Sequence, residues 1–245
     1  MRFFSLLLFL SFPILNGCNG PVEVAAPGKL TSFASGLHKT TVDVPDVGSV
    51  KYAIEVPKDY DPSTPRPLVL LLHYGYEGAK PDPYTGSDMI YVFRNCLTDL
   101  GAIAIAPDVT GGDWTNANNE KAAVWLVESA METYNIDKEH VMVTGYSMGG
   151  QGAWFIGSRH QDLFTAIVPI AAPVAGNPDQ WKVPIFAVHS SNDQVVSFKS
   201  AKEHADSVQS SGAKIKFREI ENISHYEMPK YVPFFKEAAE WVWSE

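Results

Sequence analysis

Cysteine is nearly absent. The 245-residue chain has two, Cys18 and Cys96, so a disulfide framework is excluded and stability must come from a buried core, which a chain of this length can build. No Cys/His spacing suggests a zinc site, and no metal is expected. Runs of lysine or arginine are missing too, and the formal net charge is −9. A nucleic-acid partner therefore has little support, and the acidic balance reads as solubility. No internal repeat or low-complexity segment is visible, and the apolar run Phe3 to Leu15, broken by Ser5, Ser11 and Pro13, is shorter than the roughly 20 residues a membrane-spanning helix needs. What is present is ordinary globular composition, 45% hydrophobic and 19% charged, in a length that suits one large α/β domain.

The first residues do not read as part of a fold. Arg2 supplies a positive charge, an apolar stretch follows, and small and polar residues come next, as in an export signal. Leu15-Asn16-Gly17-Cys18 resembles a bacterial lipobox, in which the cysteine is lipidated and begins the mature chain. The expected organisation is an export signal over residues 1–17, a lipidated flexible tether over 18–39, and one folded domain over 40–245. The expected location is the bacterial cell envelope, held to a membrane through Cys18; periplasmic or secreted protein is the alternative. Cys96, in VFRNCLTDL, reads as a buried small hydrophobe on a helix.

From about residue 40 strands and helices alternate. Thr41–Val44 and Val50–Val56 read as an opening pair of strands. Leu68 to His73 (LVLLLH) is a continuous apolar run, the pattern of a strand covered on both faces. Further strands are expected at Ala102–Ala106, Val141–Thr144, Ala166–Ile170, Pro184–Ser190 and Ile215–Ile220. Helices are expected near Asp88–Leu100, Glu120–Tyr134, Met148–His160, Ser197–Ser211 and Val232–Trp243. Alternation of this kind predicts an α/β fold, a mostly parallel central sheet with helices on both faces, whose functional loops gather at the C-terminal ends of the strands.

The stretch VMVTGYSMGGQGAW, Val141 to Trp154, places Ser147 between Gly145 and Gly149 where a strand gives way to a helix. G-x-S-x-G is the spacing that lets a backbone turn sharply at serine without a collision of flanking side chains, and it lifts the hydroxyl above the sheet edge. A serine hydroxyl is a weak nucleophile until a base takes its proton, and the base needs an acid to fix its tautomer. Asp193 follows one strand in SSNDQVV, and His225 follows another in ENISHYEM. Glu221 competes with Asp193 for the acid's place. The other six histidines fit less well: His38 lies in the tether, His140, His160 and His204 in or beside helices, and His73 and His189 at strand ends where loop backbone is their expected partner.

The order serine, acid, histidine and the pieces VPKDYDP, PLVLLLH, IAIAPD, YNIDKEHVMVTGYSMGGQGAW and DQVV resemble esterases of the α/β-hydrolase fold, near the phospholipase/carboxylesterase and the polyhydroxybutyrate-depolymerase or feruloyl-esterase-like groups. The resemblance implies Ser147 as nucleophile, Asp193 as acid and His225 as base in an acyl-enzyme mechanism on carboxylic esters, with no cofactor. It also implies an oxyanion hole from the backbone N–H of Met148 and of Tyr74, although those groups usually have His-Gly where this chain has His73-Tyr74-Gly75. The short stretch from Ile170 to Pro184 leaves no room for a large cap, so an open site for bulky or polymeric esters is expected. Tyr76 and Trp114, on loops near the site, are candidates to line a substrate subsite, against the plainer alternative of packing. Trp154 and Trp181 read as packing residues. Two other functions stay open: a serine peptidase of the prolyl-oligopeptidase type, and a surface binding protein on a hydrolase scaffold without activity.

Overall fold

The computed structural model describes residues 28–76, 83–176 and 178–244. The expected export signal and Cys18 lie outside the described residues. Eight strands form one sheet: β1 (Gly36–Val44), β2 (Gly48–Val56), β3 (Arg66–Leu72), β4 (Ile103–Pro107), β5 (Ile136–Tyr146), β6 (Ala166–Ile170), β7 (Ile185–Ser190) and β8 (Ile215–Ile220). Their order is β1-β2-β4-β3-β5-β6-β7-β8. β1, β2 and β4 pair antiparallel, and every pair from β4 through β3 to β8 is parallel. The helices are α1 (Thr85–Leu100), α2 (Ala117–Thr133), α3 (Met148–Arg159), α4 (Phe198–Ser210) and α5 (Val232–Val242), the last entered through a 3₁₀ turn at Met228–Tyr231.

The reason for the unbroken apolar run in β3 is visible in how its side chains divide. Leu68, Leu70 and Leu72 join a core with residues of α2, α3 and α4, including Leu126, Trp154 and Val208. Val69 and Leu71 point the other way, into a second core with Met89 and Phe93 of α1 and Phe235 of α5. Successive strand residues face opposite sides, so a strand between two helical layers needs apolar residues at every position. All of Leu68 to Leu72 are fully buried.

Two boundaries differ from the sequence reading. The tether does not extend to residue 39. β1 begins at Gly36 and carries His38, Leu30 is buried, and Phe33 packs on the core while its N–H donates to Tyr134 Oη at 2.9 Å. Small polar residues hid a segment pinned by two apolar side chains. β5 also starts earlier, at Ile136, paired with Arg66 across a register irregularity. His140 therefore sits on a strand rather than beside a helix, bonded through Nδ1 to Asp137 Oδ2 at 2.8 Å. Between β6 and β7 no helix is inserted among the described residues, which leaves the C-terminal edge of the sheet open above β5.

Candidate active site

Ser147 lies between the last residue of β5 and the first of α3, with φ 56° and ψ −117°. That left-handed conformation is costly for a residue with a side chain, and the surroundings hold it. Its N–H donates to Ile170 O at 2.9 Å. A Cβ on Gly149 would fall 1.9 Å from Leu72 O, and one on Gly145 would fall 2.3 Å from the Gly149 backbone. Both glycines are therefore required by contact, as the G-x-S-x-G spacing led us to expect.

The turn aims the serine at a histidine brought from a distant part of the chain. Ser147 Oγ lies 2.9 Å from His225 Nε2, and His225 Nδ1 lies 2.7 Å from Asp193 Oδ2. Asp193 Oδ1 accepts from the N–H groups of Val195 and Val196, each at 2.8 Å. The Asp193 side chain is fully buried and that of His225 nearly so, so the pair acts out of reach of bulk water, where such interactions are least screened. Glu221 is exposed; the carboxylate that meets His225 is that of Asp193. Because Asp193 only accepts, Nδ1 carries the proton and Nε2 is left to accept from the serine.

Other contacts support this line, and that of Tyr146 was not foreseen from sequence. Tyr146, the residue before the serine, donates its hydroxyl to the backbone carbonyl of His225, and the two rings lie 5.5 Å apart. Burial pushes the Tyr146 phenol far above its ordinary range, with the neighbouring Tyr231 adding to the effect, so it remains a donor at all working pH. Its place inside the G-x-S-x-G pattern was the one available signal. His189 Nε2 lies 3.3 Å from Val196 O and 3.4 Å from Asp193 Oδ2, and burial holds its pKa below the usual histidine value. His73 accepts from Val109 N–H at Nε2 (3.2 Å), so its Nδ1 proton goes to Tyr74 O, 2.7 Å away. Both strand-end histidines thus bond loop backbone, and His73 ties down the loop at Tyr74-Gly75.

A cleft of about 750 Å³ opens over the serine. It is lined by Tyr74, Gly75 and Tyr76 from the loop after β3, by Tyr146 and Val195, and by His225, Tyr226, Met228 and Pro229 from the segment after β8. Tyr76 and Tyr226 are exposed rim residues. Trp114 does not line it, contrary to expectation. It is fully buried, donates from Nε1 to His73 O at 2.9 Å, and packs edge-on to the His73 ring. A tryptophan among loop residues looked like a subsite; here it is a prop under the loop. Met148, first residue of α3, is half-buried beside Gly75, where an added Cβ would lie 3.7 Å from the Met148 side chain. Among the described residues no group of three histidine, cysteine or carboxylate side chains converges as a metal site.

The fold and this edge arrangement define an α/β-hydrolase. Residues 71–245 match the dienelactone hydrolase family, and the chain belongs to that family, which places it among the carboxylic ester hydrolases. Feruloyl esterase C of Emericella nidulans is similar at 24% identity over 198 residues, 78% of this chain and 68% of the relative. A thermostable esterase of known structure superposes with a TM-score of 0.69 at 24% identity, over 85% of this chain and 62% of the other. The lidless α/β serine hydrolase XC6422 from Xanthomonas campestris superposes with a TM-score of 0.65 at 13% identity, over 86% and 95%.

Proposed function

We propose that this hydrolase is a serine esterase that forms an acyl-enzyme on Ser147. The observation that carries the reading is the unbroken line Ser147 Oγ, His225 Nε2, His225 Nδ1, Asp193 Oδ2, with gaps of 2.9 and 2.7 Å, at the floor of an open cleft. His225 takes the hydroxyl proton as Oγ attacks the ester carbonyl, then delivers it to the departing alcohol. Asp193 holds the imidazole tautomer and stabilises its cation. Water repeats the sequence in reverse and frees the acid.

The oxyanion that forms in between is held by the backbone N–H of Met148, at an unfilled helix N-terminus, and by the N–H of Tyr74 on the loop that His73 fixes. Each such donor is worth roughly 10²–10³-fold in rate. Tyr76 and Tyr226 supply an aromatic rim, and feruloyl esters are natural first substrates given the named relative. The same reading has the protein exported through its apolar leader, with Cys18 as the candidate lipid anchor.

The test is hydrolysis of p-nitrophenyl acetate and methyl ferulate by protein beginning at Asn19, beside Ser147→Ala. Activity in the parent that falls at least a thousandfold in the variant supports the reading. A folded parent that neither turns over these esters nor is labelled at Ser147 by a fluorophosphonate overturns it and favours a non-catalytic scaffold.

A further inference from the structure

A second, smaller hollow lies beside the cleft. It is a groove of about 270 Å³, walled by Ala172, Pro173 and Val174 after β6 and by the segment from Val195 to Ala201 leading into α4. Val195 lines both spaces, so the groove is the continuation of the cleft across one side chain. Its position is tied to the chemistry at both ends. Val195 N–H is one of the two donors on Asp193 Oδ1. Ala172 abuts the first turn of α3, where a Cβ on Gly150 would fall 2.7 Å from its own.

The groove's character is apolar. No charged residue lines it, and its two hydroxyls, Ser197 and Ser200, are engaged with each other at 3.1 Å and in capping α4. Val195 is 52% and Val174 41% exposed. Large apolar side chains left this open beside a catalytic centre mark a place where an apolar group docks. A sugar or a charged group finds no partner there.

Resting on the esterase reading above, we propose that this groove is the acyl subsite. An ester bound at Ser147 has two arms, and the roles of the residues decide between them. His225 must deliver its proton to the leaving oxygen, and His225 lines the larger cleft and not the groove. The alcohol arm therefore lies along the tyrosine-rimmed cleft. The carbonyl oxygen turns to Met148 and Tyr74. The direction left for the acyl chain passes over Val195 into the groove, which takes a short alkyl or a flat aryl chain.

The test compares p-nitrophenyl esters from acetate to octanoate with a series of acetates of growing alcohols. Burial of a methylene in such a groove is worth up to about fourfold in kcat/KM, so the parent's rate constant climbs along the acyl series until the groove is full. Ser200→Phe, at an exposed position that lines the groove and is not itself a member of the triad, fills it. This variant is expected to keep acetate hydrolysis within about twofold and to lose at least tenfold on hexanoate, with the alcohol series unmoved. Val174→Trp, from the opposite wall, repeats the result if Ser200→Phe fails to fold. Loss on the alcohol series instead, or equal effects on acetate and hexanoate, overturns the assignment while leaving the esterase reading intact. A parent inactive on every ester, and unlabelled by methyl and octyl phosphonates alike, removes both.

Discussion

Replacement of Asp193 by asparagine tests the site most sharply, because the structure dictates how the new amide must sit. The two carboxylate oxygens have different partners. Oδ1 accepts from two backbone N–H groups at 2.8 Å, and Oδ2 faces His225 Nδ1 at 2.7 Å. An amide NH₂ turned toward Val195 and Val196 would oppose two donors with two more, so the asparagine oxygen takes that place and its NH₂ faces His225. Nδ1 must then accept, and the imidazole proton moves to Nε2, where it points at Ser147 Oγ and cannot leave room for the serine proton. The base is present but in the wrong tautomer, a change worth about 10⁴-fold in kcat. Stability should fall far less, by about 1–3 kcal/mol for weakened charge-assisted bonds, or roughly 2–4 °C in Tm per kcal/mol. Stopped-flow or plate-reader kinetics with p-nitrophenyl acetate, beside Glu221→Gln, measures this. A loss in Asp193→Asn below about tenfold, or a comparable loss in Glu221→Gln, refutes the assignment of the acid.

Three further outcomes are expected. Gly149→Ala places a Cβ 1.9 Å from Leu72 O and should cost at least about 3 kcal/mol; a Tm within 2 °C of the parent contradicts the account of the turn. His204 packs edge-on to Trp154 at 4.8 Å, its Nε2 is buried without a partner, and burial lowers its pKa. Its neutral form is the folded one, so stability is full above the unfolded histidine value of about 6.5 and declines as pH falls below it; His189 adds a term of the same sign. Urea midpoints at pH 7.5 and 5.0 should separate less in His204→Phe than in the parent, and equal separation excludes His204 from the effect. Cys96 is buried and burial pushes its thiol pKa up, so the native protein at pH 8 should resist iodoacetamide at Cys96 and react only when unfolded in urea.

What the sequence discloses depends on whether a residue's job is local. Ser147 is legible because its turn imposes glycines at fixed distance, and Asp193 and His225 are legible because parallel sheets collect function at strand ends. The apolar run in β3 announces two covering layers without any knowledge of which helices supply them. Trp114 is misread because nothing near it in sequence tells an aromatic that lines a cleft from one that props the loop beneath; its partner, His73, is forty-one positions away. Tyr146 escapes notice for the same reason, since its hydroxyl meets His225 across seventy-nine positions. The segment 30–39 reads as tether because its composition is polar, yet Leu30 and Phe33 pack on the body and residues 36–39 pair with β2.

One feature of α3 bears on how this protein meets its inhibitors. α2 and α4 begin with side chains that accept from their first N–H groups, Asn116 and Ser197, while α3, like α1 and α5, begins with no such bond from its N-cap residue. A missing cap leaves a helix short of about 1 kcal/mol. In the proposed esterase reaction, the negatively charged oxygen of the tetrahedral species on Ser147 lies at this uncapped end. Boronate and phosphonate adducts carry the same oxygen permanently, so in binding they finish the helix as well as block the serine. Their complexes should melt later than the free protein by more than their few contacts in the cleft account for, and the rise should shrink for adducts that carry no anionic oxygen.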